Sequence, residues 1–475
     1  MNQIIKNYIY NVVYNILVLI VPIITMPYLA RVLGATYLGI YSYVNSSTVI
    51  ISSVTLIGLF SYGSRQVAYA RDNKKNLSKV FNDLMGLRLF LGIIGTIIYF
   101  IYAGNTDYQY YFVLYYIYYL GSIIDCTWLF VGVEDMKIPC LKNIMVKLLT
   151  TIGIFIFVRG KQDLWKYMFL LAASNFLGML VAYPQLKKYV KIQRPDIYTF
   201  WKNYKDAVIL FLPSLVSTIY LQMDKVMIEW LTNTTNQVSY YDQAEKIVTI
   251  PLSFVTVLST VMMPRIANEF VHKNYSDIEG LLTKACRASL LLAYPLMFGI
   301  AGIADRLIPW YLGEEFIATA TAIKFLAPII ISNTLVGISG TQYFIATNQT
   351  KSLLLSNSFA AIMNIIINAL MIPRYGYIGA AIATLISSYI LVIIQYTALS
   401  RQLNVRRMFD KTIRYFIAAL LMFASVVFVG QLGTAAPLTT MTQVLAGVGI
   451  YFMTIFVARD DLFIELIKKC KGNRN

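Results

Sequence analysis

The feature that most limits this chain is the recurrence, from one end to the other, of apolar stretches about as long as a bilayer is thick. A helix needs about 20 predominantly apolar residues to cross the hydrocarbon layer. Fourteen stretches meet that length. The first six lie near 8–30, 37–60, 80–103, 109–132, 138–158 and 164–186. Six more lie near 205–231, 238–263, 281–303, 317–345, 352–373 and 376–399, and a last pair near 411–430 and 441–458. Hydrophobic residues make up 58% of the 475 and charged residues only 13%, about half the charged share of a soluble domain. The expected class is an all-α integral membrane protein with about fourteen spans. Met1–Lys6 is short, polar and followed by no small-residue cleavage site, so the first span is expected to be retained. Cys126, Cys140, Cys286 and Cys470 form no CxxC pair and no ligand spacing, and are expected to be reduced.

A net charge of +17 could suggest nucleic acid, but the basic residues occupy alternate loops. With the N-terminus inside, 29 of the 40 Lys and Arg fall on the inner side and 7 on the outer. That is the positive-inside pattern, and it predicts cytoplasmic termini and an even number of spans. Attraction to anionic headgroups follows as a by-product.

The chain also repeats itself. Arg65-Gln-Val-Ala after span 2 matches Arg265-Ile-Ala-Asn after span 8, and each leads to a span bearing Arg88 or Arg287. VEDMKIPCLKN (133–143) likewise matches TNQTKSLLLSN (347–357). The expected organisation is a six-helix lobe over 1–190, a basic cytoplasmic linker over 191–204 and a second six-helix lobe over 205–400. Residues 401–475 add two helices and a basic tail. Parallel repeats of this kind place substrate at the lobe interface. Pro22 and Pro27 in span 1, Pro213 in span 7 and Pro251 in span 8 are candidate hinges.

Charges inside spans are costly and usually face a protein interior or a wet cavity. They concentrate on either side of one short turn, in the hairpin Phe211 to Met263. Asp224, Lys225 and Glu229 precede the turn; Asp242, Glu245 and Lys246 follow it. Spacing at i, i+4 allows Lys225–Glu229 and Asp242–Lys246 to neutralise each other as structural pairs. The functional reading makes Lys225 and Lys246 a seat for an anionic headgroup and the spare carboxylates a proton or cation site. In the first half, Asp125 and Lys147 are placed to pair between helices, and Arg88 to snorkel toward the inner face. Arg31 and Lys147 are further candidate substrate contacts. The run DYQYYFVLYYIYYLG (107–121) is expected to be an interfacial aromatic belt. Trp128, Tyr220, Tyr240 and Tyr241 are better placed to stack on sugars.

Catalytic signatures are lacking: His272 stands alone, and there is neither a phosphate-binding GxxxxGK[ST] nor a metal-binding HExxH. No enzyme activity, metal or cofactor is expected; transport coupling, if present, would use a proton or sodium ion.

Two stretches carry a family likeness. LARVLGATYLGIYSYVNSSTVI resembles the opening signature of polysaccharide-export flippases of the multidrug/oligosaccharidyl-lipid/polysaccharide superfamily. QMDKVMIEWLTNTTNQVSYYDQAEKI resembles the corresponding segment of their second half. The resemblance implies a twelve-plus-two layout with spans 1, 2, 7 and 8 around a central cavity. It implies a flippase for undecaprenyl-diphosphate-linked oligosaccharide repeat units, serving capsule, exopolysaccharide or O-antigen assembly in a bacterial cytoplasmic membrane. A monomer suffices, with other polysaccharide-assembly proteins as possible partners. Flippases of lipid-linked peptidoglycan precursors are similar but carry an Arg-Asp pair where this chain has Ile24-Thr-Met-Pro27. Cation-coupled multidrug exporters usually carry an acidic residue in span 1, which is absent. Polysaccharide polymerases carry a large basic external loop, also absent. A structural scaffold would leave the buried charges of the hairpins unexplained.

Overall fold

The computed structural model describes residues 3–56 and 58–464. Among them every regular element is helical. Ten helices are long and apolar enough to cross a membrane, or eleven if the bent pair Glu314–Leu326 and Ile329–Ile345, inclined at 44°, is one span. The expected count of fourteen is not reached by this measure. Two expected spans, 8–30 and 37–60, share one helical element, α1 (Gln3–Leu56). The stretches at 205–231 and 238–263 lie in helices some of whose side chains are outside the described residues. The chain groups into two compact units, Met1–Ser239 and Tyr240–Asn475.

In the first unit α1 is followed by α2 (Leu59–Ala70), α3 (Lys74–Gly104), α4 (Gln109–Ile123), α5 (Thr127–Gly132), α6 (Lys137–Phe157), α7 (Leu164–Tyr189) and α8 (Ile197–Thr232). α1 packs on α3, α4, α6 and α8, and α7 lies against α4 and α6. Pro22 and Pro27 sit inside α1, and the helix continues through both. It breaks instead at Gly34, whose φ of 77° and ψ of 173° are costly for any residue with a Cβ. Five residues on, Gly39 meets the turn after α8: a Cβ there would lie 1.7 Å from the carbonyl oxygen of Thr235. The two glycines of the LGATYLG stretch thus have separate tasks, a bend and a close approach. Gly39→Val is expected to force those backbones apart, costing at least the 1–3 kcal/mol typical of overpacking. A lowered melting temperature of the purified protein would register it; an unchanged one would mean that the contact is not maintained.

One end of this unit is a core of Leu59, Tyr62, Phe81, Trp128, Phe130 and Leu186. Trp128 is 1% exposed, with its ring stacked on Phe81 at 5.3 Å, so the candidate sugar platform is a core side chain. The segment leading to α8 is held by polar groups on α3. Ser78 Oγ accepts from Lys191 N (3.0 Å), Asn82 Oδ1 from Gln193 N (3.1 Å) and Asp83 Oδ1 from Asp196 N (2.8 Å). The first part of the expected linker, residues 191–196, is therefore tethered, and the rest, from Ile197, belongs to α8.

α9 (Thr235–Val271) carries the boundary between the units. The second unit continues with α10 (Tyr275–Tyr311), α11 (Ile317–Leu326), α12 (Ile329–Val336), α13 (Thr350–Tyr375), α14 (Tyr377–Ser400), α15 (Val405–Met408), α16 (Ile413–Leu432) and α17 (Pro437–Val457). α12 runs into a π-helical segment, Gly337–Ile345. α10 is the hub: α11, α12, α16 and α17 all pack on it. The C-terminal pair is fastened there by Tyr451 Oη donating to Leu291 O (2.6 Å), Arg306 Nε to Gly430 O (2.9 Å) and Trp310 Nε1 to Thr440 Oγ1 (2.9 Å). Between membrane helices, where apolar burial gives little net drive, packing and such bonds supply the association.

Candidate functional site

The charged residues before the turn lie on the last three turns of α8 and are covered by protein. Asp224 is 2% exposed, Lys225 7% and Glu229 6%. The turn itself is short because Asn233 adopts a left-handed φ of 50°, and its N–H bonds to the Glu229 carbonyl (2.8 Å). The i, i+4 pair of Lys225 with Glu229 is not formed. Glu229 Oε1 instead accepts a hydrogen bond from Tyr108 Oη, just before α4 (2.9 Å), and its Oε2 is buried with no hydrogen-bond partner among the described residues.

Around this carboxyl lies a seam of hydroxyls joining α1, α3, α4 and α8. Tyr43 and Tyr102 share a hydrogen bond (2.8 Å), and Trp230 Nε1 donates toward Tyr102 (3.1 Å) and Tyr43 (3.3 Å). Ser46 donates to Gln222 (2.9 Å), Tyr115 to Asn45 (2.9 Å), and Tyr119 bonds Thr55 (2.9 Å). The tyrosine-rich run is thus only partly the aromatic belt expected. Tyr110 is exposed, but Phe112, Tyr115 and Tyr119 are core, because every third or fourth residue of a helix returns to the same face.

The carboxyl–tyrosine contact makes a prediction. Glu229→Gln keeps an acceptor for Tyr108 and removes a buried carboxyl that has no ion pair among the described residues, so the melting temperature is expected to hold or rise. Tyr108→Phe strips the one donor to this carboxyl among the described residues and is expected to cost about 1–3 kcal/mol. The reverse ranking in a thermal-shift series would show that Glu229 is paired in a way this geometry does not contain.

Past the turn, α9 carries Asp242, 3% exposed, with Lys246 Nζ on its carboxylate at 2.5 Å. The second i, i+4 pair is therefore formed. Glu245 is half-buried on the same helix, and Tyr241 Oη meets Thr384 Oγ1 at 3.0 Å. Tyr240 is half-buried, with its ring edge on Tyr377. α9 continues through Pro251. Pro213 lies outside the described residues.

In the first unit the remaining charges are arranged differently from the expectation. Arg88 does not snorkel. It is 5% exposed and caps the end of α4, donating to Ser122 O (2.6 Å) and Ile123 O (3.0 Å). Its guanidinium is 3.8 Å from Asp125, whose Oδ1 accepts from the N–H and hydroxyl of Thr127 (2.8 and 2.5 Å) to start α5. Asp125 is thus committed to a helix junction and to Arg88, rather than to the expected interhelical pair with Lys147. Lys147 is half-buried on α6, and Arg31 is exposed.

Sequence reasoning missed Lys142, counted among the 29 inner-side cations rather than among the charges inside spans. It is 7% exposed, and its Nζ lies 3.2 Å from Met179 Sδ. The signal was its position: the sixth residue of α6, roughly 7–8 Å into the helix.

Arg287 of α10, the repeat counterpart of Arg88, pairs with Asp460 beyond α17 (3.1 Å). The repeat keeps the arginine and changes the source of its carboxylate. The second unit also holds an apolar groove of about 400 Å3 lined by Pro251, Phe254, Pro295, Gly299, Val426 and Gly447, among others.

Comparison with known proteins places this architecture. Residues 4–270 match the family model described as polysaccharide biosynthesis protein. The chain belongs to that family. Residues 138–456 also match the model of the lipid II flippase MurJ. A protein of Shigella dysenteriae described as "Putative O-antigen transporter" is 21% identical over 386 residues, covering 79% of this chain and 95% of that one. The "Probable low-salt glycan biosynthesis flippase Agl15" of Haloferax volcanii is 24% identical, covering 62% of each. The solved structure of a lipid II flippase MurJ in an inward closed conformation superposes with a TM-score of 0.71 at 18% identity, covering 97% of this chain and all of that one. Fold class and family are thereby established: a multi-pass, all-helical membrane protein of the flippase and exporter superfamily.

Proposed function

We propose that this chain is a flippase that carries polyprenyl-diphosphate-linked oligosaccharide repeat units from the cytoplasmic to the outer leaflet of a bacterial cytoplasmic membrane, by alternating access. The observation that carries the reading is the family match over the half of the chain that contains Asp224, Lys225 and Glu229, three charges buried on one membrane helix. A diphosphate and a string of sugar hydroxyls cannot cross hydrocarbon unaided; a cargo of this chemistry gives buried cations a use that a scaffold would not. Lys225 and Lys246 are the proposed diphosphate contacts, with Arg31 and Lys147 behind them. Asp224, Glu229, Asp242, Glu245 and Asp125 serve coupling to a proton or sodium ion, or hold the cations in place. The apolar groove on α9, α10, α16 and α17 offers the polyprenyl tail a surface of its own kind. Cytoplasmic termini, prolines that flex during transport and two six-helix lobes belong to the same proposal.

Deletion of the protein tests it. Lipid-linked repeat units are followed in spheroplasts with a sugar-specific lectin, with and without permeabilisation. Complete units accessible only from inside support translocation as the missing step. Outer-face units that fail to polymerise would reassign the protein to polymerisation, and unchanged units with altered drug sensitivity to drug export. The match to the peptidoglycan-precursor flippase model supports a second reading. Accumulation of that precursor instead of the oligosaccharide would select it.

A further inference from the structure

At the end of α14 the chain turns through residues 401–404 into α15. This turn and the first turns of α10 border an open polar cavity of about 630 Å3, lined in part by Tyr275, Ser276, Glu279, Arg401, Asn404 and Arg406. Most cations nearby are already committed. Arg407 pairs with Glu279 (3.4 Å), Arg287 with Asp460 (3.1 Å) and Lys411 with Asp461. Glu279 also accepts from the Asn404 N–H at 3.4 Å. Arg401 and Arg406 are both exposed, and among the described residues neither has a carboxylate within ion-pair distance. Two guanidinium groups at the edge of one cavity, without a protein counter-ion, suit a phosphate oxygen cluster.

The depth of the cavity says which phosphate. α14 is a 24-residue span of mean hydropathy 2.2 that ends at Ser400, one residue before Arg401, so the cavity opens at the headgroup layer. Phe409 (36% exposed) and Ile413 (62% exposed) follow within a few residues along the chain and are exposed apolar side chains. Paired cations at the end of a membrane span, with exposed apolar side chains close by in sequence, match an amphiphile, and basic pockets between membrane helices recognise anionic headgroups. We propose that Arg401 and Arg406 hold the phosphodiester of an anionic phospholipid in this cavity, with Ser276, Tyr275 and Asn404 available to a hydroxylated headgroup. The site uses none of the charged residues of α8 and α9, and its test does not depend on transport.

The test is native mass spectrometry of the full-length protein offered equal amounts of phosphatidylglycerol and phosphatidylcholine. The wild type is expected to retain the anionic lipid roughly 10- to 30-fold over the zwitterionic one, as two interfacial arginines warrant. The double variant R401Q/R406Q should bring the two lipids to parity. Arg407→Gln, which breaks the pair with Glu279 but spares both proposed contacts, should keep the preference. Equal melting temperatures in phosphatidylcholine establish that all variants fold. Parity in the wild type, or a preference that survives in the double variant, would overturn the proposal. Displacement of the lipid by millimolar inorganic phosphate would assign the cavity to a free anion and overturn it as a lipid site.

Discussion

Lys225→Ala is expected to reduce outer-leaflet repeat units roughly 10- to 100-fold while the protein still inserts and accumulates normally. The estimate is the loss of one charge-assisted hydrogen bond to a diphosphate, about 1.5–3 kcal/mol, converted at about 1.4 kcal/mol per tenfold. Lys225 is 7% exposed, so contact with cargo requires an opening of the surrounding helices, as alternating access supplies. Lys225→Arg keeps the charge and is expected to retain part of the export. The readout is lectin accessibility of repeat units in intact spheroplasts, normalised to protein level. Unchanged outer-face units in the alanine variant would remove Lys225 from the cargo path and leave it a structural cation.

The largest effect on stability is expected from Arg88→Met. The substitution would leave the Ser122 and Ile123 carbonyls without their donor and Asp125 without its cation, all at the junction of α4 and α5. Breaking one side of a buried pair typically costs about 3–5 kcal/mol, because the remaining charge stays buried. Adding Asp125→Asn should recover part of that loss, since the amide needs no counter-ion. A melting temperature for Arg88→Met equal to the wild type would show that the junction holds without the arginine. If the double variant is no better than the single one, the cost lies in the carbonyl cap rather than in the charge.

Residue order alone was enough for the class of molecule and for its family. Apolar stretches of bilayer length leave the backbone no choice but to bond within each segment, and the glycines of LGATYLG and the charges of the α8–α9 hairpin are local marks on the sequence. The Asp242–Lys246 pair was equally legible, because i, i+4 neighbours meet by helical geometry whatever surrounds them. The partner of a charge on another helix was not legible in this way. Glu229 took Tyr108 rather than Lys225, Asp125 took Arg88, and Lys142 is buried although it was counted among the inner-side cations. These contacts join residues 37 to 121 positions apart. They depend on which helix faces approach and at what height, and the order of residues along one helix does not contain that information. The tyrosine run divides in the same way: composition predicted aromatic surface, while packing against α1 and α3 decided which rings became core. What tertiary structure alone supplied is the pairing of distant polar groups, because a buried hydrogen bond is settled by the side chain that arrives opposite it.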